Sequence, residues 1–344
     1  MAPSSDHGMR PWSRSGSYGC PMDVWSTQGL TKRFGTFTAV SDLTLSVGEG
    51  VTGVVGHNGA GKSTLIRMLL GLEPPTSGTA TIFGIDATQN PLEARARVGF
   101  MPEYDCMPPD VSAAQSIMHF GRISGLPRDI ARERASDVLR HVGLDEARHR
   151  PVGTYSTGMK QRAKLAQALV HDPDLIMLDE PTNGLDPSGR DEMLGLIQRI
   201  GHEFGISVLV TSHLLGELER ICDHVVVLDG GRLVTSSSIS DLTADTGALE
   251  VEVIGTDERS PAPQLIAALH CRGIEAGRSG GMVIIPQASD EARAAVVELC
   301  ADNGWGLSRM TGSRHQLSEL FLGEGDSPEA SQGSGATRDG QEAA

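Results

Sequence analysis

Residues 56–64 read GHNGAGKST, and the span from Gly56 to Ser63 keeps the spacing G-x-x-x-x-G-K-[ST]. Such a loop is built for phosphate. Gly56, Gly59 and Gly61 let the backbone N–H groups turn inward around an anion, with His57, Asn58 and Ala60 completing the cradle, and a helix starting directly afterwards adds its positive end. Lys62 supplies a charge for the β- and γ-phosphates, Ser63 a hydroxyl for magnesium, and Thr64 supports the helix start. A second constellation, LIMLDEPTNGLDP, occupies residues 175–187, where an apolar run ends in Asp179 and Glu180. Asp179 is placed to hold magnesium, partly through water, and Glu180 to orient or deprotonate an attacking water. Together they suit the hydrolysis of a nucleoside triphosphate.

Those residues need a strand, a loop and a helix in that order, and the flanking sequence supplies them. VTGVVG (51–56) is a short apolar run stopped by glycine, and STLIRMLLGL (63–72) has apolar residues at helical spacing. Before them AVSDLTLSV (39–47) alternates apolar and polar residues, which predicts antiparallel strands over 24–48. ATIFG (80–84) reads as a further strand and NPLEARARVGF (90–100) as a helix and a strand, with Asn90 as cap, Pro91 in the first turn and Glu93 at the capping-box position. Helical patterns fill about 111–172, and strands return at LIMLDE, ISVLVTS and HVVVLDGGRLV. The predicted fold is α/β with an inserted helical subdomain at about 104–172. After residue 240, ALEVEVIG, APQLIAALHCRG, MVIIP, DEARAAVVELCADNG and HQLSELFLG predict a small α+β domain. The expected boundaries are a disordered tail at 1–22, a nucleotide-binding domain at 23–240, an accessory domain at 245–323 and a disordered tail at 324–344. Met22 is a second candidate start.

The chain has 344 residues, 39% hydrophobic and 21% charged, which fits a globular protein. Its 44 acidic residues outnumber 29 basic ones for a formal charge of -15, so no nucleic-acid partner is expected. Cys20, Cys106, Cys222, Cys271 and Cys300 are scattered, without metal or redox spacing, and read as free thiols of a reducing compartment. No apolar run reaches the roughly 18–20 residues that span a bilayer, and the first twenty residues lack the apolar core of a signal peptide. Work at a membrane would therefore require a partner.

A third element specifies the machine. YSTGMKQRAKLAQAL (155–169) opens an amphipathic helix with Ser156, Thr157 and Gly158, 23 residues before Asp179. Here the chain resembles the ATP-binding cassette family, whose signature loop has this S-x-G core ahead of a Gln/Arg-rich helix. The rest of the family's series follows in order. Phe34 in LTKRFG matches the aromatic that stacks on adenine, and Glu103 in VGFMPE falls where the family usually carries glutamine. Asp186 in GLDP matches the loop after the catalytic strand, and His213 in VTSH the switch histidine, 33 residues after Glu180. The resemblance covers about residues 24–240. It implies a P-loop cassette with an antiparallel β subdomain, ATP and Mg2+ as cofactors, and two cassettes, identical or paralogous, closing head to tail around two ATP. The YSTGM signature and Glu103 resemble the exporter branch, in which the cassette is a separate ATPase subunit. It would sit on the cytoplasmic face of the membrane, peripheral through a transmembrane permease. In that reading Glu180 and His213 are catalytic, and Ser63, Asp179 and Glu103 stand near the metal.

Overall fold

The computed structural model describes residues 23–242, 245–255, 261–279, 282–287 and 289–314. The two expected tails, the helix expected at HQLSELFLG and Cys20 lie outside the described residues. The chain divides into two compact units between Thr243 and Ala244.

In the first unit β1 (Trp25–Phe34) and β2 (Phe37–Val47) form a hairpin, followed by β3 (Val51–Val55) and α1 (Lys62–Leu69). Next come β4 (Ser77–Ile82), β5 (Ile85–Asp86), α2 (Pro91–Ala96) and β6 (Val98–Met101), then α3 (Ala113–Ile123), α4 (Arg128–His141) and α5 (Thr157–Leu169). The unit closes with β7 (Leu175–Asp179), α6 (Pro187–His202), β8 (Ser207–Ser212), α7 (Leu215–Leu218), β9 (His224–Asp229), β10 (Arg232–Ser238) and α8 (Ile239–Leu242). Two sheets result. The antiparallel one runs β2-β1-β4-β5, and the other runs β10-β9-β3-β8-β7-β6 with only β10 antiparallel.

Burial explains the contrast between them. Every residue of β3, β7 and β8 is buried, as their largely apolar sequences suit strands covered on both faces. β2 alternates buried and exposed residues through its second half, as a half-solvated antiparallel strand does. Trp25, Leu30 and Leu43 from the antiparallel sheet share one core with Leu65 and Ile66 of α1 and with Val54, Met177 and Leu209 of the parallel strands. α1 is thereby pinned between the sheets with its N-terminus at the end of β3.

The start of α2 differs from expectation. Asn90 precedes the helix and Pro91 opens it, but the Asn90 side chain makes no cap bond. Its ψ of 55° departs from the extended backbone of a side-chain cap. Asp86 Oδ1 instead accepts the N–H groups of Thr88 and Gln89 and shapes the approach. A capping box does form at α3, between Ser112 and Gln115.

The second unit contains β11 (Asp245–Ile254), α9 (Ala262–Cys271), β12 (Gly277–Ser279), β13 (Met282–Ile285), α10 (Asp290–Asp302) and β14 (Gly306–Arg314). Its antiparallel sheet runs β12-β13-β11-β14, so the βαββαβ order gives a ferredoxin-like split βαβ unit. Leu249, Val251 and Val283 of the sheet pack on Leu265, Leu269 and Val296 of the helices, an independent core.

Candidate functional site

β3 ends at Val55, and the next six residues turn into α1 without a side-chain cap. The turn tolerates little besides glycine at two points. A Cβ on Gly56 would lie 2.4 Å from the Leu228 carbonyl oxygen, and Gly61 has φ of +98° with the Ala39 carbonyl 2.5 Å from its Cβ position. Lys62 is only 6% exposed. Its Nζ donates to the carbonyls of Gly56 at 2.7 Å and His57 at 3.4 Å, and pairs with Glu180 Oε1 at 3.3 Å.

β7 and β8 bring the carboxylates and the histidine to the same edge, because β8 lies between β3 and β7. Asp179 ends β7. Its Oδ1 accepts the Ser63 hydroxyl at 3.2 Å and the Thr211 hydroxyl at 2.8 Å. Glu180 follows at φ +49°, a left-handed conformation rare for a residue with a side chain. Its N–H donates to Thr211 Oγ1 at 3.0 Å, and Oε2 lies 2.9 Å from His213 Nδ1. An ionised carboxylate only accepts, so His213 donates from Nδ1 and leaves Nε2 as the second ring nitrogen. A water near Glu180 would meet a carboxylate already oriented by Lys62 and His213, on a backbone held by Thr211.

Lys62, Ser63, Glu180 and His213 line one open cleft of about 600 Å3, together with Asn58, Gly59, Ala60, Gly61, Thr64, Glu103 and Asn183. Glu103 is half-buried, and its Oε1 accepts Asn183 Nδ2 at 3.2 Å. Behind it Lys164 of α5 donates to the carbonyls of Pro102 and Glu103 at 2.9 and 2.7 Å. Burial pushes the Lys164 ammonium below its ordinary pKa, against the pull of Cys106, Asp105, Glu103 and Asp179.

The remaining candidates stand elsewhere. Phe34 and Phe37 pair across the β1–β2 turn and both are exposed, yet Phe37 lines the cleft and Phe34 does not. The ring of Phe34 lies 4.9 Å from Lys32 Nζ instead. Ser156 caps α5 by accepting the Met159 N–H at 3.3 Å; Ser156 and Thr157 are exposed outside the cleft. Gly158 lies beside Leu185, and a Cβ on Gly184 would meet the Thr157 methyl at 3.4 Å, so the start of α5 adjoins the loop of Asp186. Asp186 precedes α6, exposed and without a side-chain cap bond. The cleft thus gathers residues 58–64 of the phosphate loop, Glu103, Glu180 and His213, with Asp179 joined to it through Ser63, and its lining does not include Phe34, Ser156, Thr157, Gly158 or Asp186.

Phe37, Asn183, Thr211 and Glu217 were not among the sequence candidates. Glu217 Oε2 accepts the buried Thr182 hydroxyl at 2.8 Å, and Glu217 Oε1 lies 3.7 Å from Arg190, whose Nε donates to the Leu185 carbonyl. The helix after His213 is in this way tied to the loop of Asp186. For Phe37 the available signal was a second aromatic three residues after Phe34. Nothing in a sequence marks Thr211 or Glu217 apart from their nearness to His213.

Residues 40–183 match the family described as ABC transporter. The Nod factor export ATP-binding protein I of Ralstonia nicotianae is 37% identical over 255 residues, covering 74% of this chain and 78% of that protein. The daunorubicin/doxorubicin resistance ATP-binding protein DrrA of Streptomyces peucetius is 36% identical over 251 residues, covering 72% and 76%. Among solved structures, cbiO1 of Clostridium perfringens, part of an ABC transporter complex, aligns with TM-score 0.59 and 26% identity over 65% of this chain and 92% of that one. A dimeric ATP-binding cassette bound to ADP and Pi shares the fold at TM-score 0.57 and 22% identity, covering 62% of this chain and 98% of its own. The phosphate loop, the strand-end carboxylates and the histidine stand within a likeness that spans about three quarters of each curated relative, and the chain belongs to the ATP-binding proteins of ABC transporters.

Proposed function

We propose that this chain is the ATP-hydrolysing motor subunit of an exporter, and that it works on the cytoplasmic face of the membrane through a separate permease. The observation that carries this reading is the convergence of Lys62 and His213 on the Glu180 carboxylate, at 3.3 and 2.9 Å, in a cleft lined by the phosphate loop, with Asp179 hydrogen-bonded to Ser63 of that loop. Relatives named for Nod factor export, daunorubicin/doxorubicin resistance and bacitracin transport support export. Among the described residues no helix is long and apolar enough to cross a membrane.

Each residue then has a role. The amides of residues 56–61 and Lys62 hold the β- and γ-phosphates, and Glu180, oriented by His213, takes a proton from the attacking water. Phe37, with Phe34 across the turn, offers a ring to adenine at the mouth of the cleft. Ser63 and Asp179 already share a hydrogen bond between two hard oxygen donors, which suits Mg2+. Ser63 and Asp179 would hold the ion as oxygen ligands, and it would supply charge neutralisation at the phosphates.

Ser156, Thr157 and Gly158 lie outside the cleft at a helix N-terminus, where N–H groups face an anion held by a second copy or a paralogue. Asp186 contributes beside them to the same contact. ATP thereby closes a head-to-tail dimer, and hydrolysis removes the contacts that favour closure. The motor domain is residues 23–240 with its helical part at about 104–172, and residues 245–323 form an accessory domain. The test is co-expression with a candidate separate permease: ATPase activity and a membrane-bound complex are expected with it, and a cytosolic protein without it. Strong binding to membranes lacking the permease would overturn this assignment.

A further inference from the structure

Three side chains on one face of α5 reach the loop that leaves β6. Lys160 pairs with Asp105 at 2.8 Å, Lys164 donates to the Pro102 and Glu103 carbonyls, and Gln167 Oε1 accepts the Cys106 thiol at 3.0 Å. The spacing i, i+4, i+7 places all three along one helical stripe. They differ in strength. The Lys160–Asp105 pair is largely solvated and therefore weak, and a thiol is a poor donor. Lys164 is 3% exposed, so its ammonium satisfies itself on those two carbonyls out of reach of bulk water. A cavity of about 170 Å3 lies between the loop and α5, lined by Asp105, Cys106, Met107, Lys160 and Lys164 among others, so the packing between them is incomplete.

We infer that Lys164 is a positioning residue that fastens the loop carrying Glu103 to α5, so that Glu103 in the cleft and the Ser156–Gly158 end of the same helix move as one body. This rests on the motor reading for its consequence, though not for the contact itself. A shift of the loop in one copy is carried along the rigid helix to the end that faces the other copy's nucleotide. The two halves of a composite site are then coupled through a buried cation in place of a flexible hinge.

Tyr104 is 74% exposed and sits between the clamped carbonyls and Cys106, which makes it a proteolytic reporter. Tyr155 is 6% exposed, donates its hydroxyl to the Ala147 carbonyl at 2.7 Å, and reports general unfolding. In the full-length Lys164→Met protein, which keeps length but loses the donors, chymotryptic cleavage after Tyr104 should accelerate at least about tenfold while cleavage after Tyr155 is unchanged. The kcat for ATP should fall about fivefold or more with KM within about twofold, because the phosphate loop is untouched. Lys164→Arg, with donors restored, should stay within about twofold of wild type in the Tyr104 cut. Equal acceleration at both tyrosines would make Lys164 a plain stability residue and overturn the inference. So would an unchanged Tyr104 cut, a released loop with unchanged kcat, or a folded Lys164→Arg protein with its loop released. If Lys164→Met does not fold, Lys164→Gln, which keeps a polar head but cannot reach both carbonyls, is read in the same two cuts with the same expected and overturning outcomes. The cleavage arm needs no ATPase activity, so its failure is separable from failure of the motor reading, which Lys62→Ala tests.

Discussion

Glu180 is met by His213 at 2.9 Å and by Lys62 at 3.3 Å, while its own N–H is engaged by Thr211. Glu180→Gln keeps the size and loses the base, so ATP binding should persist while single-turnover hydrolysis drops about 10²–10⁴-fold. Lys62→Ala removes the charge that faces the phosphates and should abolish tight ATP binding in a filter or calorimetric assay. Wild-type turnover that Lys62→Ala leaves intact would show that another site does the work. At Glu103 a carboxylate stands in the cleft wall beside Asn183, where it attracts magnesium and repels phosphate. Glu103→Gln should stay active but need a several-fold higher magnesium concentration for half-maximal rate; superimposable titrations would remove Glu103 from the metal's surroundings. The loop, the two carboxylates and His213 were legible because their chemistry fixes residue type and spacing together. The choice between Phe34 and Phe37 was not, since it depends on which side of a two-residue turn faces the cleft. That is set by the β1–β2 register.

At the level of elements, the apolar runs of β3, β7 and β8 announced strands buried on both faces, and the 3.6-residue pattern announced α3, α4 and α5. β12 and β14 gave no such sign. β12 has three residues, and β14 reads GLSRMTGSR, whose polar composition becomes a strand only through pairing along β11. Gly99 shows how tightly the elements are set. A Cβ there would lie 2.0 Å from the Ala168 carbonyl oxygen, so β6 touches the backbone of α5 directly. Gly99→Ala should destabilise the first unit by about 1–3 kcal/mol in a denaturant titration. By displacing the loop after β6 it should also lower turnover in the protein that remains folded. A smaller effect is expected at the α3 cap, where Ser112→Ala should lose about 1 kcal/mol.

Among the described residues, one core is built around α1 and its sheets and another lies between a four-stranded sheet and two helices. Calorimetry should therefore record two unfolding transitions in place of one. With the phosphate-loop cleft in the first unit, adding ATP at 100 times Kd should stabilise that transition by about 2.7 kcal/mol and leave the other where it was. Light scattering checks the assembly: Glu180→Gln with ATP should reach the mass of a dimer that wild type populates only transiently. The accessory unit was foreseen as α+β, but its strand order was not. Order within a sheet is a matter of long-range pairing that leaves little local trace.

β3 lies between β8 and β9, whose residues begin at Ser207 and His224. On the ribosome, the strand that feeds the phosphate loop is therefore made long before either of its neighbours. At roughly 5–20 residues per second, the intervening stretch occupies the ribosome for about 10–30 s. Throughout that time a buried, valine-rich strand has both edges unpaired, the condition under which nascent chains stick to one another. A truncated transcript ending before β8 should yield aggregates, and synthesis of this motor should lean on chaperones until its last hundred or so residues emerge.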